Sequence, residues 1–143
     1  MDEQWEDKIY DLEGRLIDFA VRIIRIAESL PNTKVANHIA GQLIRCGTSP
    51  APNYGEAQGA ESRADFIHKM KVCLKELRET RVWLLMIVRT MLIKPVSKLD
   101  SLIQESNELI SIFVTSIRTA KKAKKKFLWL FANTISTALF VNK

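Results

Sequence analysis

The sequence predicts an all-α protein built from four long amphipathic helices, and three observations predict it. Apolar residues recur at alternating steps of four and three through most of the 143 residues, the period of a helix with one buried stripe. Glycine and proline are few, five and four in number, which leaves room for long uninterrupted helices. Several stretches carry a second apolar strip beside the first. Each is too apolar on two sides to stand alone, so the helices must shelter one another and then neighbouring copies.

The first helix is expected over residues 5–30. Trp5, Ile9, Leu12, Leu16, Phe19, Ile23, Ile26 and Leu30 form its seam. Ile17, Val21 and Ile24 widen the stripe, which suits a bundle or an oligomer. Pro31 and Asn32 end it.

The second helix starts near Thr33, with Ala36, Ile39, Leu43 and Cys46 on its seam, which continues to Pro50, Asn53 and Ala57. Each proline inside a continuous helix would cost about 3 kcal/mol or more. A break or kink near Pro50 and Pro52 is therefore expected. Gly47 would cap one segment and Ser49 the next, with Pro50 at the first helical position. Ala51, which precedes a proline, keeps some strain.

Gly59 ends this helix. Ser62 with Asp65 opens the third in the manner of a capping box. Ile67, Met70, Leu74, Leu77, Leu84, Val88 and Met91 mark its expected seam, interrupted by Arg81. Phe66, Cys73, Trp83 and Ile87 lie beside it. Arg81 calls for a carboxylate partner, locally Glu76 or Glu79, or one on another helix. Lys94 and Pro95 end the helix. The fourth starts near Ser97 and buries Leu99, Leu102, Ile103, Leu109, Ile110, Phe113, Ile117 and Ala120. Its length matches the third, as an antiparallel partner should. The chain thus divides into a bundle, residues 1–120, and a tail, residues 121–143.

Spaced polar positions carry a family resemblance. They are Gln42-Leu43-Ile44-Arg45, Thr48-Ser49, Asn53, Glu56-Ala57 and Ala60 to Ile67, followed by Lys69, Leu74-Lys75-Glu76, Arg78-Glu79-Thr80 and Trp83-Leu84. The chain resembles the bacterial four helix bundle proteins, first described as 23S rRNA intervening-sequence proteins, over roughly residues 16–120. The resemblance implies an antiparallel up-down bundle, a ring-like homopentamer and no known enzymatic activity. A related branch serves diversity-generating retroelements, binding a reverse transcriptase and nucleic acid.

Charge is unevenly placed. Residues 121–143 hold six of the 22 basic residues and none of the 16 acidic ones, so the body is formally neutral. That weighs against the bundle as a whole being a nucleic-acid platform. Lys121, Lys122, Lys124, Lys125 and Lys126 precede an apolar, aromatic-rich run to Val141. This run is shorter than the 20 or so residues a membrane span needs. Contact with an anionic membrane surface, packing on another subunit, or a disordered lysine run with a sticky end remain as readings. Met1 to Asp7 is acidic, unlike a secretory signal, so a cytoplasmic location is expected. Cys46 and Cys73 have neither metal nor redox spacing and read as buried, reduced thiols.

No catalytic motif stands out. A di-iron bundle needs Glu-x-x-His twice, and the chain offers only Asp65-x-x-His68, once. Phosphate-loop, zinc-protease and Cys-x-x-Cys patterns are lacking. No enzyme and no cofactor are expected, and both histidines read as surface residues. Candidate interaction residues are Arg45, Ser49 and Glu56, which share one helix face, with Asn53 and Arg81 on the seams. They read either as structural polar groups that fix register or as a small binding site. The functional expectation is an oligomeric scaffold for RNA or a protein partner. The alternative is the retroelement accessory role.

Overall fold

A computed structural model of the protein describes residues 11–123. Its elements are α1 Leu12–Ser29, α2 Lys34–Thr48, α3 Pro50–Gln58, α4 Arg63–Thr90, a 3-10 turn Val96–Leu99 and α5 Asp100–Lys122. α2 and α3 form one interrupted rod, so the architecture is the expected all-α four-helix bundle. No strand occurs among the described residues.

Cross-bundle bonds fix the helix directions. Arg15 meets Glu105 and Glu108, while Arg22 donates to Ser101 at 2.7 Å, so α1 and α5 are antiparallel. Arg45 reaches Glu76 and Glu79, while Lys69 reaches Glu56, so the α2–α3 rod and α4 are antiparallel too.

Local chemistry sets most helix ends. Asp11, Thr33 and Ser62 each accept a hydrogen bond from the backbone N–H three residues on, at 2.7, 3.2 and 3.1 Å. Such caps contribute about 1 kcal/mol apiece. Asp11 stands outside helical angles, so α1 begins at Leu12. Residues 5–10 of the expected first helix, with Trp5 and Ile9, lie outside the described residues. Leu30 turns extended before Pro31, as a residue before proline does. α4 stops earlier than expected. Met91 adopts a left-handed conformation at φ 52° and is 59% exposed, rather than on the seam. The Leu92 N–H then donates to the Ile87 carbonyl, closing the helix end.

The prolines interrupt the second rod at a single residue, Ser49. The expected capping arrangement is absent there. Ser49 keeps right-handed helical angles (φ −69°, ψ −38°) and makes no side-chain cap. Its carbonyl and hydroxyl instead each accept a 2.9 Å bond from the Asn53 amide. Pro50 does occupy the first position of α3. Gly47 is no cap: it lies inside α2, fully packed. A Cβ built there would sit 2.6 Å from Ile23 Cγ2 and 2.9 Å from Ile23 Cγ1. This glycine lets α1 and α2 approach.

The core also revises the expected seam of the third helix. Phe66, Met70, Cys73, Leu77, Thr80, Leu84 and Ile87 are buried on α4. Ile67, Leu74 and Val88 are only half-buried. Thr80, not Arg81, fills the polar position, and its hydroxyl donates to the Glu76 carbonyl at 2.7 Å. The same hydroxyl also bonds the Cys46 thiol of α2, so it serves its own helix and a partner. On α5, Ile112 is buried with Ser106 and Ser116, whereas Ile103 and Ile110 are half-buried. Both cysteines are buried free thiols.

Gly47→Ala should lower stability by about 1–2 kcal/mol, because overpacking of about 1–3 kcal/mol exceeds the propensity gain of alanine. Gly41→Ala, with nothing within 4 Å of the new methyl group, should raise stability by about 0.5–1 kcal/mol. Urea unfolding of the two variants checks both signs.

Candidate functional site

The predicted polar residues do not converge. Arg45 is bound by Gln42, by Glu76 at 3.3 Å and, more closely, by Glu79. Glu56 pairs with Lys69 at 2.6 Å. Ser49 and Asn53 bond to each other, and Asn53 is half-buried, displaced from the core by Tyr54. Tyr54 instead meets Phe113 edge to face, with ring centroids 6.1 Å apart. Arg45, Ser49, Asn53 and Glu56 therefore stitch the α2–α3 rod to itself and to α4. Among the described residues Arg81 pairs with no carboxylate, and its Nε donates to Asn107 Oδ1 of α5 at 2.7 Å.

The electrostatics agree with structural roles. The Arg45 guanidinium holds the Glu79 carboxyl below its ordinary value of 4.5. Burial pushes the Glu105 carboxyl up, and Arg15 opposes that rise. Burial also pushes the Cys73 thiol up to about 12 and raises Cys46, so neither is poised to react. His38 and His68 are both exposed. His38 lies edge-on to Trp83 at 6.0 Å.

A different surface gathers several cations. Along the outer side of the α4–α5 contact runs a groove of about 570 Å³, lined by Lys71, Leu74, Lys75, Arg78, Val114, Ile117, Arg118 and Lys121. Five of the eight are basic and none is acidic. Leu74, Val114 and Ile117 give it an apolar floor. Among the described residues, none of the five cations forms an ion pair within 4 Å. Lys75 acts at longer range, helping to lower Glu79.

The asymmetry of α4 explains this. Glu76 and Glu79 project toward α2, where Arg45 holds them. Lys71, Lys75 and Arg78, at steps of four and three, project toward α5. Arg118, Lys121 and Lys122 add charge near the C-terminus of α5, where cations also suit the helix dipole. The sequence reading included Lys121 and Lys122, of which only Lys121 lines the groove. Lys124, Lys125 and Lys126 and the apolar run after them lie outside the described residues. It missed Lys71, Lys75, Arg78 and Arg118. The available signal was three cations at helical spacing in a stretch whose acids fall on another face.

The model of the 23S rRNA-intervening sequence protein family matches residues 12–115. The chain belongs to that family. A crystal structure of a protein of unknown function from the S23 ribosomal protein family of Bacteroides thetaiotaomicron VPI-5482 superposes with a TM-score of 0.69. The two are 36% identical, and the match covers 75% of this chain and 98% of that one. This 23S rRNA-intervening sequence family member thus has about a quarter of its length unmatched in that relative. No curated protein matches the chain. No helix among the described residues is long and apolar enough to cross a membrane.

The lowered Glu79 fixes a sign for pH dependence. A carboxyl with a depressed folded-state pKa stabilises the fold above its unfolded value, and that contribution fades as pH falls through the folded value. Glu79→Gln should therefore be less stable than the parent at pH 7. The difference should close as pH drops below 4.5, as denaturant midpoints measured from pH 7 to pH 3 would show.

Proposed function

We propose that this protein is a non-enzymatic, self-associating scaffold that binds RNA along the α4–α5 groove. The observation that carries the proposal is the set of five cations lining one groove, none of which forms an ion pair among the described residues. Phosphate recognition needs clustered, available Lys and Arg rather than a high overall charge. A formally neutral body is therefore compatible with a local basic face. The family's name, which refers to an rRNA insertion, makes RNA the polyanion to test first. Binding by this groove would read backbone charge more than sequence.

Full-length protein should bind single-stranded RNA with an affinity that falls steeply with salt, by a log–log slope of about −0.7 for each phosphate contacted. Five contacts would give about −3.5 on the same rule. Lys71→Ala, Lys75→Ala and Arg78→Ala combined should remove about 2 units of that slope. An affinity indifferent to salt or to the triple substitution would refute the groove as an RNA site. No described feature separately favours partnership with a reverse transcriptase.

Self-association has its own support. Ile17, Val21 and Ile24 form an outward strip on α1, between 37% and 47% exposed. Ile44 is 40% exposed on α2, one turn before the Gly47–Ile23 contact. An apolar strip of this kind suits burial against a second copy, as in homo-oligomers up to the pentamer that the resemblance implies. Light scattering at micromolar concentration should give a mass several times the 16.3 kDa chain. Ile17→Glu with Ile24→Glu should reduce it to one chain without loss of helix.

A further inference from the structure

We propose that the α4–α5 groove takes the outer strip of α1 from a second copy of the chain, so that copies join head to tail. Ile17, Val21 and Ile24 share one exposed face of α1, at steps of four and three. The same line carries Glu13 one turn before Ile17 and Glu28 one turn after Ile24. Both carboxylates are exposed, and neither forms an ion pair among the described residues. The ridge is therefore apolar in the middle and anionic at both ends. The groove is its complement, an apolar floor of Leu74, Val114 and Ile117 beneath a cationic rim. Opposite charge guides the approach, and the strip covers the floor as a helix face lies in a groove. Asp18 and Arg25, also exposed on α1, offset each other in charge.

Dimensions and symmetry favour this partner. From Ile17 to Ile24 α1 advances about 10 Å at 1.5 Å per residue, as α4 does from Lys71 to Arg78. Arg63 reaches the Ala123 carbonyl and Arg81 reaches Asn107, so α5 runs antiparallel to α4. Lys121 then extends the rim past Lys71 toward the start of α4. Cations thus stand at both ends of the floor, where the carboxylates of the ridge would fall. Pairing of the α1 strip with itself is disfavoured. Antiparallel ridges set Glu13 opposite Glu28 at both ends, and parallel ridges set each carboxylate against its own copy. Like charges meet either way. Strip and groove are different surfaces, so the contact is heterologous, and copies close into a ring or continue as a filament. Docking of this kind rests on the self-association reading and not on RNA. RNA, where bound, competes with the neighbouring copy for the same cations.

Light scattering of full-length variants tests the arrangement. The parent reads self-association itself: the mass of one chain at micromolar concentration removes that reading and this one together. With an assembled parent, Ile17→Glu with Ile24→Glu disables the strip. Lys71→Glu with Lys75→Glu and Arg78→Glu, all at exposed positions, disables the groove. Each variant should fall to the mass of one chain. Their equimolar mixture should give two chains and no more, because one intact groove meets one intact strip. A groove variant that keeps the parent's mass overturns the proposal and leaves self-association standing. So does a mixture that stays at one chain. The unmodified protein gives a readout that does not depend on how the variants fold. Zero-length carbodiimide coupling of mixed isotope-labelled and unlabelled chains should join Glu13 or Glu28 of one copy to Lys71, Lys75 or Lys121 of another. Absence of such links, or links between copies that fall on Lys34 or Lys98 instead, overturns the arrangement. The strip variant, with its groove open, should also bind single-stranded RNA several-fold more tightly than the assembled parent. Equal affinity would mean that the neighbour does not occupy the groove.

Discussion

The buried seam of α4 is the constraint on which the rest of the bundle depends. Seven side chains from Phe66 to Ile87 alternate by four and three and are almost fully enclosed. Burial of each large apolar member contributes about 1.5–3 kcal/mol, so the rotation of α4 about its own axis is not negotiable. Once that rotation is set, every other side chain of α4 has its direction assigned. Glu76 and Glu79 face α2 and meet Arg45. Lys71, Lys75 and Arg78 line the groove shared with α5 and form no ion pair among the described residues. The ion-pair pattern and the basic groove are two consequences of one hydrophobic register.

The second rod shows how a bundle tolerates prolines. Pro50 and Pro52 remove two backbone donors, yet the helical path continues because Ser49 stays helical and Asn53 ties it in place. The cost of the missing donors is kept low by proximity to a helix start, where N–H groups lack intrahelical partners. The prolines also shift the seam. After Cys46 the buried positions run Pro50, Tyr54 and Ala57, so a bulky aromatic enters where a small polar residue would otherwise have sat. Asn53 is thereby freed to serve the backbone instead of fixing register.

Function in such a protein follows from which charges the fold leaves unspent. Net charge over residues 1–120 is formally zero, and that average hides a polarised helix. Arg15, Arg45 and Lys69 are spent on tertiary contacts, each with a carboxylate on another helix. Among the described residues, the cations along the α4–α5 groove are not. An apolar floor beneath them makes the groove a place where charge and hydrophobic contact act together, which a flat basic patch does not offer.

The number of helices, the ends at Pro31 and Gly59, the start near Thr33 and the cap at Ser62 were readable in the sequence, because periodicity and turn chemistry act over a few residues. Family membership was readable in spaced polar positions such as Arg45, Asn53 and Glu79. The candidate site was not. Arg45 and Arg81 looked alike as cations on or near seams, yet one found two carboxylates and the other an asparagine. Thr80 looked unremarkable beside Arg81 until the seam of α4 shifted by one position. By itself the sequence determined that four amphipathic helices must pack, since their apolar stripes cannot be satisfied alone. Only the tertiary structure decided which charges are paired and which line an open groove, because a one-position turn of a helix leaves its hydrophobic period intact and redirects every polar side chain upon it.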